Sequence, residues 1–213
     1  MRVNFRQNNS LGSPESIASE IGPSTDSRLL QIVILGYQTL CKERIVAADW
    51  QEDRITSELC FRIQVHIQRS CIDAFPQHQH PLYSRQPKRG KPPTIDFVFR
   101  KGYEESPYLG FECKLLESSD NKLLKEYIDE GLMRFLSGKY SECEKIGGMV
   151  GYIMASQVIS CVDQLNVKIE MKLGKKDCLV KSSIVDFEGI YESHHSRASC
   201  CNIAIYHLFM KFN

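Results

Sequence analysis

Asp96, Glu112 and Lys114 are the residues of this 213-residue sequence whose types and spacing could do chemistry together. In Thr94 to Arg100, the large groups Ile95, Phe97 and Phe99 alternate with Thr94, Asp96 and Val98, so a strand would turn Asp96 away from the apolar face. In Tyr108 to Leu116, Phe111, Cys113 and Leu115 share one face, and Glu112 and Lys114 project together from the other. The polar connection Lys101 to Pro107 joins the two as an antiparallel hairpin, which brings two carboxylates and an ammonium to one surface. A carboxylate withdrawn from water without a partner loses several kcal/mol of solvation, and a divalent cation offsets that loss. Mg²⁺, with Mn²⁺ as a substitute, suits oxygen ligands and needs only one or two acidic side chains. The expected ligands are Asp96, Glu112 and the backbone carbonyl of Cys113. Phosphodiester hydrolysis is the matching chemistry, with Lys114 staying protonated between the carboxylates as an electrostatic stabiliser.

The (D/E)-x-K tripeptide recurs at Glu170-Met171-Lys172 and Asp120-Asn121-Lys122, so the pattern alone decides nothing. The Glu112 copy differs in lying on a strand with an acid on the strand before it. Thr94-Ile95-Asp96, followed by Glu112-Cys113-Lys114, resembles the PD-(D/E)xK, restriction-endonuclease-like nuclease superfamily, with Pro93 standing three residues before Asp96 instead of next to it. The resemblance runs from Glu52 to about Tyr152. It implies a restriction-endonuclease-like core, a Mg²⁺-dependent endonuclease activity and a further acid on the helix before the hairpin. Glu58 is the better match for that acid and Glu52 the poorer one. It also implies a helix after the hairpin that turns side chains towards the scissile phosphate; Tyr127 and Arg134, seven apart, share a helical face there. Trp50 to Phe212 is similar to small bacterial restriction-like proteins of antiviral defence loci. That implies an effector subunit acting on DNA, beside a sensor or ATPase subunit or as a homo-oligomer. One rival is a catalytically inactive nuclease-fold binding or scaffold subunit; another is an enzyme using the same metal site on a nucleotide.

The elements that must position these groups follow from periodicity. Residues 1–26, rich in Asn, Ser, Gly and Pro, read as a flexible lead-in to one domain over 27–213. Leu29 to Tyr37 fits a buried helix, with a strand as the alternative, and Ala47 to Ile72 a long amphipathic helix with Ile55, Leu59, Ile63 and Ile67 on one face. Pro76 to Pro93 reads as an exposed loop with His78 and His80 at the surface. Its Arg85, Lys88, Arg89 and Lys91 are the expected grip on a nucleic-acid backbone. Lys122 to Leu136 reads as a helix, Gly147 to Met154 as a close-packed strand and Ser156 to Leu173 as a helix, with closing strands at Ile184 to Phe187 and Ile203 to Phe212. Ser193 to Arg197 and His207 read as solvated histidine positions. The order gives an α/β fold, a single domain with a central mixed β-sheet flanked by helices. The net charge of +1 excludes a generally basic coat, so contact with phosphates needs a local patch. Nine cysteines without a CxxC pair point to reduced thiols and a cytoplasmic setting, and no apolar run reaches the roughly 18 residues a membrane helix needs.

Overall fold

The computed structural model describes residues 23–70, 72–82, 90–100, 108–140, 144–197 and 201–212. Helices α1 (Pro23–Glu43) and α2 (Glu52–Ser70) lead into strands β1 (Phe75–Pro81), β2 (Thr94–Arg100) and β3 (Tyr108–Leu116). A helical run follows: α3 (Asn121–Glu126), a π-helical stretch (Tyr127–Leu132) and α4 (Met133–Leu136). After it come β4 (Ile146–Ile153), α5 (Val158–Lys172), a 3₁₀ turn (Lys175–Asp177), β5 (Val180–Lys181), β6 (Ile190–His195) and β7 (Ile203–Lys211). The strands form one mixed sheet in the order β1-β2-β3-β4-β7-β6-β5. β3, β4 and β7 run parallel at its centre, and the outer pairs are antiparallel. This is the expected α/β domain with a mixed sheet between helices.

Alternation along the strands divides the interior into two apolar layers. Phe97, Phe99, Phe111, Cys113, Val150, Tyr152, Leu208 and Met210 face α1 and α2. Val98, Leu116, Met149, Ile153, Ile205 and Phe209 face the helical run over 121–136 and α5. The β-branched run Ile32-Val33-Ile34 is helical because α1 lies within the first layer, where packing overrides propensity. α1 begins at Pro23, inside the segment read as a lead-in. No described helix is long and apolar enough to cross a membrane, and the described cysteines, from Cys41 to Cys201, are free.

Three expectations about elements are corrected. Phe75–Pro81 is a strand where a loop was expected; β1 pairs only with β2, and an edge position tolerates Pro76 and Pro81. His80 is therefore buried and His78 half-buried, instead of both lying on a surface loop. Ile184 to Phe187 is a bent connection, and the strands at that edge are β5 and β6. Of the basic loop, Arg85, Lys88 and Arg89 lie outside the described residues; Lys91 is exposed just before β2.

Gly148 carries the tightest packing at the sheet centre. A methyl group there would overlap the Phe111 ring on the neighbouring strand, and that ring is stacked on Phe97 at 4.6 Å. At Gly131, in the π-helical stretch, the first obstacle is the flexible end of Met149. Gly148→Ala should therefore lower stability by about 1–3 kcal/mol in urea titration, and Gly131→Ala by clearly less. Equal losses would mean that the stacked rings yield as easily as the thioether.

Candidate active site

The β2–β3 ladder stops one rung before the acids. Pairing runs from Arg100↔Tyr108 to Phe97↔Phe111, and the next pair, Asp96 with Glu112, is not formed. Opposite Asp96 on its other side, Gln79 of β1 has φ 48°, a left-handed conformation that non-glycine residues adopt at a cost. The parted strands leave an unpaired edge on β3, where the backbone groups of Cys113 and Leu115 point into the gap. Side chains take over those backbone bonds. The Cys113 N–H donates to Asp96 Oδ2 at 2.6 Å, and the Leu115 N–H donates to Glu52 Oε2 at 3.0 Å. Lys114 Nζ donates to the Cys113 carbonyl at 2.7 Å and to Glu52 Oε1 at 2.9 Å. It also lies 3.1 Å from Glu112 Oε1 and 4.0 Å from Asp96 Oδ2.

The sequence-predicted core of Asp96, Glu112 and Lys114 is thus brought together, but the third acid beside it is Glu52 and not Glu58. Glu52 opens α2 in the middle of the stripe formed by Ile55, Leu59 and Ile63. Glu58, six residues on, lies about 240° around the helix. Its carboxylate is 38% exposed and bonds Arg62, which also pairs with Glu43 of α1. The stripe was legible in the sequence, and Glu52 was the charge standing on it.

The helical run over 121–136 adds a second cation. Arg134 Nη1 donates to Glu112 Oε1 at 2.7 Å and to the Tyr140 hydroxyl at 2.8 Å, and that hydroxyl donates to the Thr94 carbonyl at 2.7 Å. Tyr140 thereby ties Arg134 to the start of β2, a role that no sequence motif marked. Tyr127 does not share Arg134's exposure. The π-helical hydrogen bond from Met133 N–H to Ile128 O shifts the helical phase between them, so seven residues no longer bring both to one face. Tyr127 is fully buried against β7 and cannot contact nucleic acid.

Charge in this gap is only partly compensated: three carboxylates face two cations. Burial, reinforced by the charge of Asp96, raises Glu112 from 4.5 to about 7 despite Lys114 and Arg134. Asp96 and Glu52 are also raised by burial, opposed by Lys114. Burial pulls the Lys114 ammonium down, but Glu112, Asp96 and Glu52 outweigh it and hold its pKa above the usual lysine value. Glu112 is 1% exposed, and its Oε2 has no hydrogen-bond partner. Among the described residues, no three His, Cys, Asp or Glu side chains converge to hold a metal ion. The donors that fit a hard cation are two carboxylates and a carbonyl, those of Asp96, Glu112 and Cys113, and the orphaned Glu112 oxygen is the one that lacks a partner.

The histidines of the last strands are not solvated. His195 Nδ1 lies 2.8 Å from Asp177 Oδ1, and Ser193 Oγ lies 2.7 Å from His195 Nε2 and 2.9 Å from His207 Nε2. His207 Nδ1 in turn lies 2.9 Å from the Tyr127 hydroxyl. All five groups are buried, because Ser193, His195 and His207 fall on the inward face of β6 and β7. Only His194 is exposed; Arg197, buried, donates to the Cys201 and Glu144 carbonyls.

Burial, with a smaller contribution from His195, lowers His207 from 6.5 to about 3. The unfolded chain therefore binds the extra proton between those values. The stability contributed by neutral His207 is fully present above about 6.5 and is lost as pH falls towards 3. Glu112, raised from 4.5 to about 7, works in the opposite sense: the folded state gains stability as pH falls from 7 to 4.5. Comparison with His207→Phe separates the two. As pH falls from 6.5 to 4.5 the two effects oppose each other in the wild type, so His207→Phe should gain denaturant resistance relative to the wild type, and parallel curves would refute the assignment. No protein-family model, curated protein or solved structure matches the chain.

Proposed function

We propose that the chain is a divalent-metal-dependent nuclease that hydrolyses phosphodiester bonds, with DNA as its first candidate substrate, and that it works as an effector of antiviral defence. The observation that supports this best is the convergence of Asp96, Glu112, the Cys113 carbonyl and Lys114 at the gap between β2 and β3, with a buried Glu112 oxygen left without a partner. It agrees with the resemblance of Asp96 and Glu112-Cys113-Lys114 to the PD-(D/E)xK pattern.

Asp96, Glu112 and the Cys113 carbonyl would hold the cation. Bound there, Mg²⁺ or Mn²⁺ supplies Lewis-acid polarisation of the phosphoryl group and a water of lowered pKa. Lys114 keeps its proton, so it orients the attacking water and stabilises negative charge on the phosphorus-bound oxygens instead of acting as the base. Glu52 anchors that ammonium and the Leu115 N–H. Arg134, 27% exposed, bonds Glu112 through Nη1 and pairs with the exposed Glu130 through Nη2 at 3.6 Å, an outer ion pair that a phosphate would replace. The partners that go with this reading are a nucleic acid and a sensor or ATPase subunit or another copy of the chain.

One observation favours a non-catalytic binding subunit: Lys114 already engages Glu52, Glu112 and the Cys113 carbonyl, and an internal ammonium of this kind could hold the gap by itself. Mn²⁺ binding by calorimetry decides between the two. The nuclease reading expects saturable binding whose affinity rises as pH goes up through about 7, because cation and proton compete for Glu112. Binding should be lost in Asp96→Asn. Cleavage of plasmid and single-stranded DNA should fall by about 100-fold or more in Lys114→Ala and Glu112→Gln. Glu52→Gln should be impaired and Glu58→Gln should stay near wild type. Absence of both Mn²⁺ binding and cleavage would leave the binding subunit; equal cleavage by wild type and Lys114→Ala would sink the mechanism.

A further inference from the structure

A cavity of about 560 Å³ opens beside the carboxyl end of β7 and the first turn of α5, and it shares no lining residue with the Asp96–Glu112 cluster. Small-ligand sites fall within roughly 300–1,000 Å³, and open α/β sheets commonly take ligands outside the carboxyl ends of their strands. Position and size therefore suit a small molecule, and the lining says which kind.

Two lysines enter this cavity, and both make their contacts with neutral groups. Lys181 Nζ donates to the Glu188 backbone carbonyl and stands 4.9 Å from the centre of the Tyr191 ring. Lys211 Nζ donates to the Gln157 amide oxygen at 3.1 Å. Neither forms an ion pair with any described carboxylate. Glu188 is the one acid among the described lining residues, which together carry an excess of one positive charge. That excess selects an anion, and ammonium groups act as strong point partners for phosphate.

The rest of the lining is mostly aromatic and aliphatic. The half-buried rings of Phe187 and Tyr191 face the cavity, and Ile159, 57% exposed, stands at its mouth. An isoleucine left in water at the rim of a cavity gains cover if a ligand lies over it. Rings of this kind accept the face of a nucleobase with little regard to its identity. We propose that this cavity binds a mononucleotide, with its base against Tyr191 and Phe187 and its phosphate on Lys181 and Lys211. The site is separate from the nuclease cluster, so this proposal does not depend on that reading.

Calorimetric titration of the full chain with AMP, GMP, CMP and UMP, beside inorganic phosphate and the four nucleosides, tests it. At least one mononucleotide should bind saturably and at least tenfold more tightly than either phosphate or its own nucleoside. Lys181→Ala and Lys211→Ala should each weaken that binding tenfold or more, while Glu112→Gln, in the other cluster, should leave it unchanged. Tyr191→Leu should weaken it as well. Because Tyr191 also packs against Phe209, nucleotide-induced NMR shifts of Tyr191 and Phe187 in the wild type provide the check that needs no variant. No saturable binding by any nucleotide, phosphate binding as tightly as the nucleotide, or full affinity in the Lys181→Ala/Lys211→Ala double variant would each overturn the proposal.

Discussion

The hydrogen bond from the Cys113 N–H to Asp96 Oδ2 stands where a rung of the sheet should be, and the site depends on that replacement. A strand edge inside a protein must satisfy its N–H and C=O groups somewhere. With β2 turned away at Asp96, the edge of β3 is served by Asp96, Glu52 and Lys114. The backbone thereby fixes the positions of two carboxylates and an ammonium more firmly than side-chain packing alone would. Gln79, left-handed on the strand beyond, shows that the disturbance reaches β1 as well.

Closing the gap are groups brought from far away in the chain. α2 delivers Glu52 because its apolar stripe is pressed against the sheet, and the helical run over 121–136 delivers Arg134 because Gly131 lets the π-helical stretch sit close to Met149. Each contact raises the cost of keeping acids in a place that water reaches poorly. Lys114 and Arg134 offset part of that cost, and the orphaned oxygen of Glu112 marks the part they do not.

Much of this was legible in the sequence, because strand alternation holds along β3, although it breaks at Asp96, where Ile95 joins the layer opposite to Phe97 and Phe99. Phe111, Cys113 and Leu115 against Glu112 and Lys114 could be sorted to two faces by counting, and the hairpin followed from the polar link between two apolar runs. Glu52 ranks below Glu58 on the family resemblance, whereas the helical phase of Ile55, Leu59 and Ile63 singles out Glu52. Tyr127 was misplaced because an α-helical count of seven fails across a π-helical turn, which sequence does not announce. The histidines of β6 and β7 look like a polar tail until the sheet supplies a buried acid, Asp177, from another segment. Partners separated by 18 residues and a turn leave no local signal.

That buried row is directional. Asp177 can only accept, so His195 carries its hydrogen on Nδ1 and offers Nε2 to the Ser193 hydroxyl. Ser193 Oγ then accepts from His207 Nε2, which leaves His207 Nδ1 to accept from Tyr127. The two imidazoles are locked as opposite tautomers, and every hydrogen in the row points towards the Asp177 end. Moving one hydrogen means moving all four, so the interior between α5 and the sheet has a built-in polarity that no single side chain can reverse.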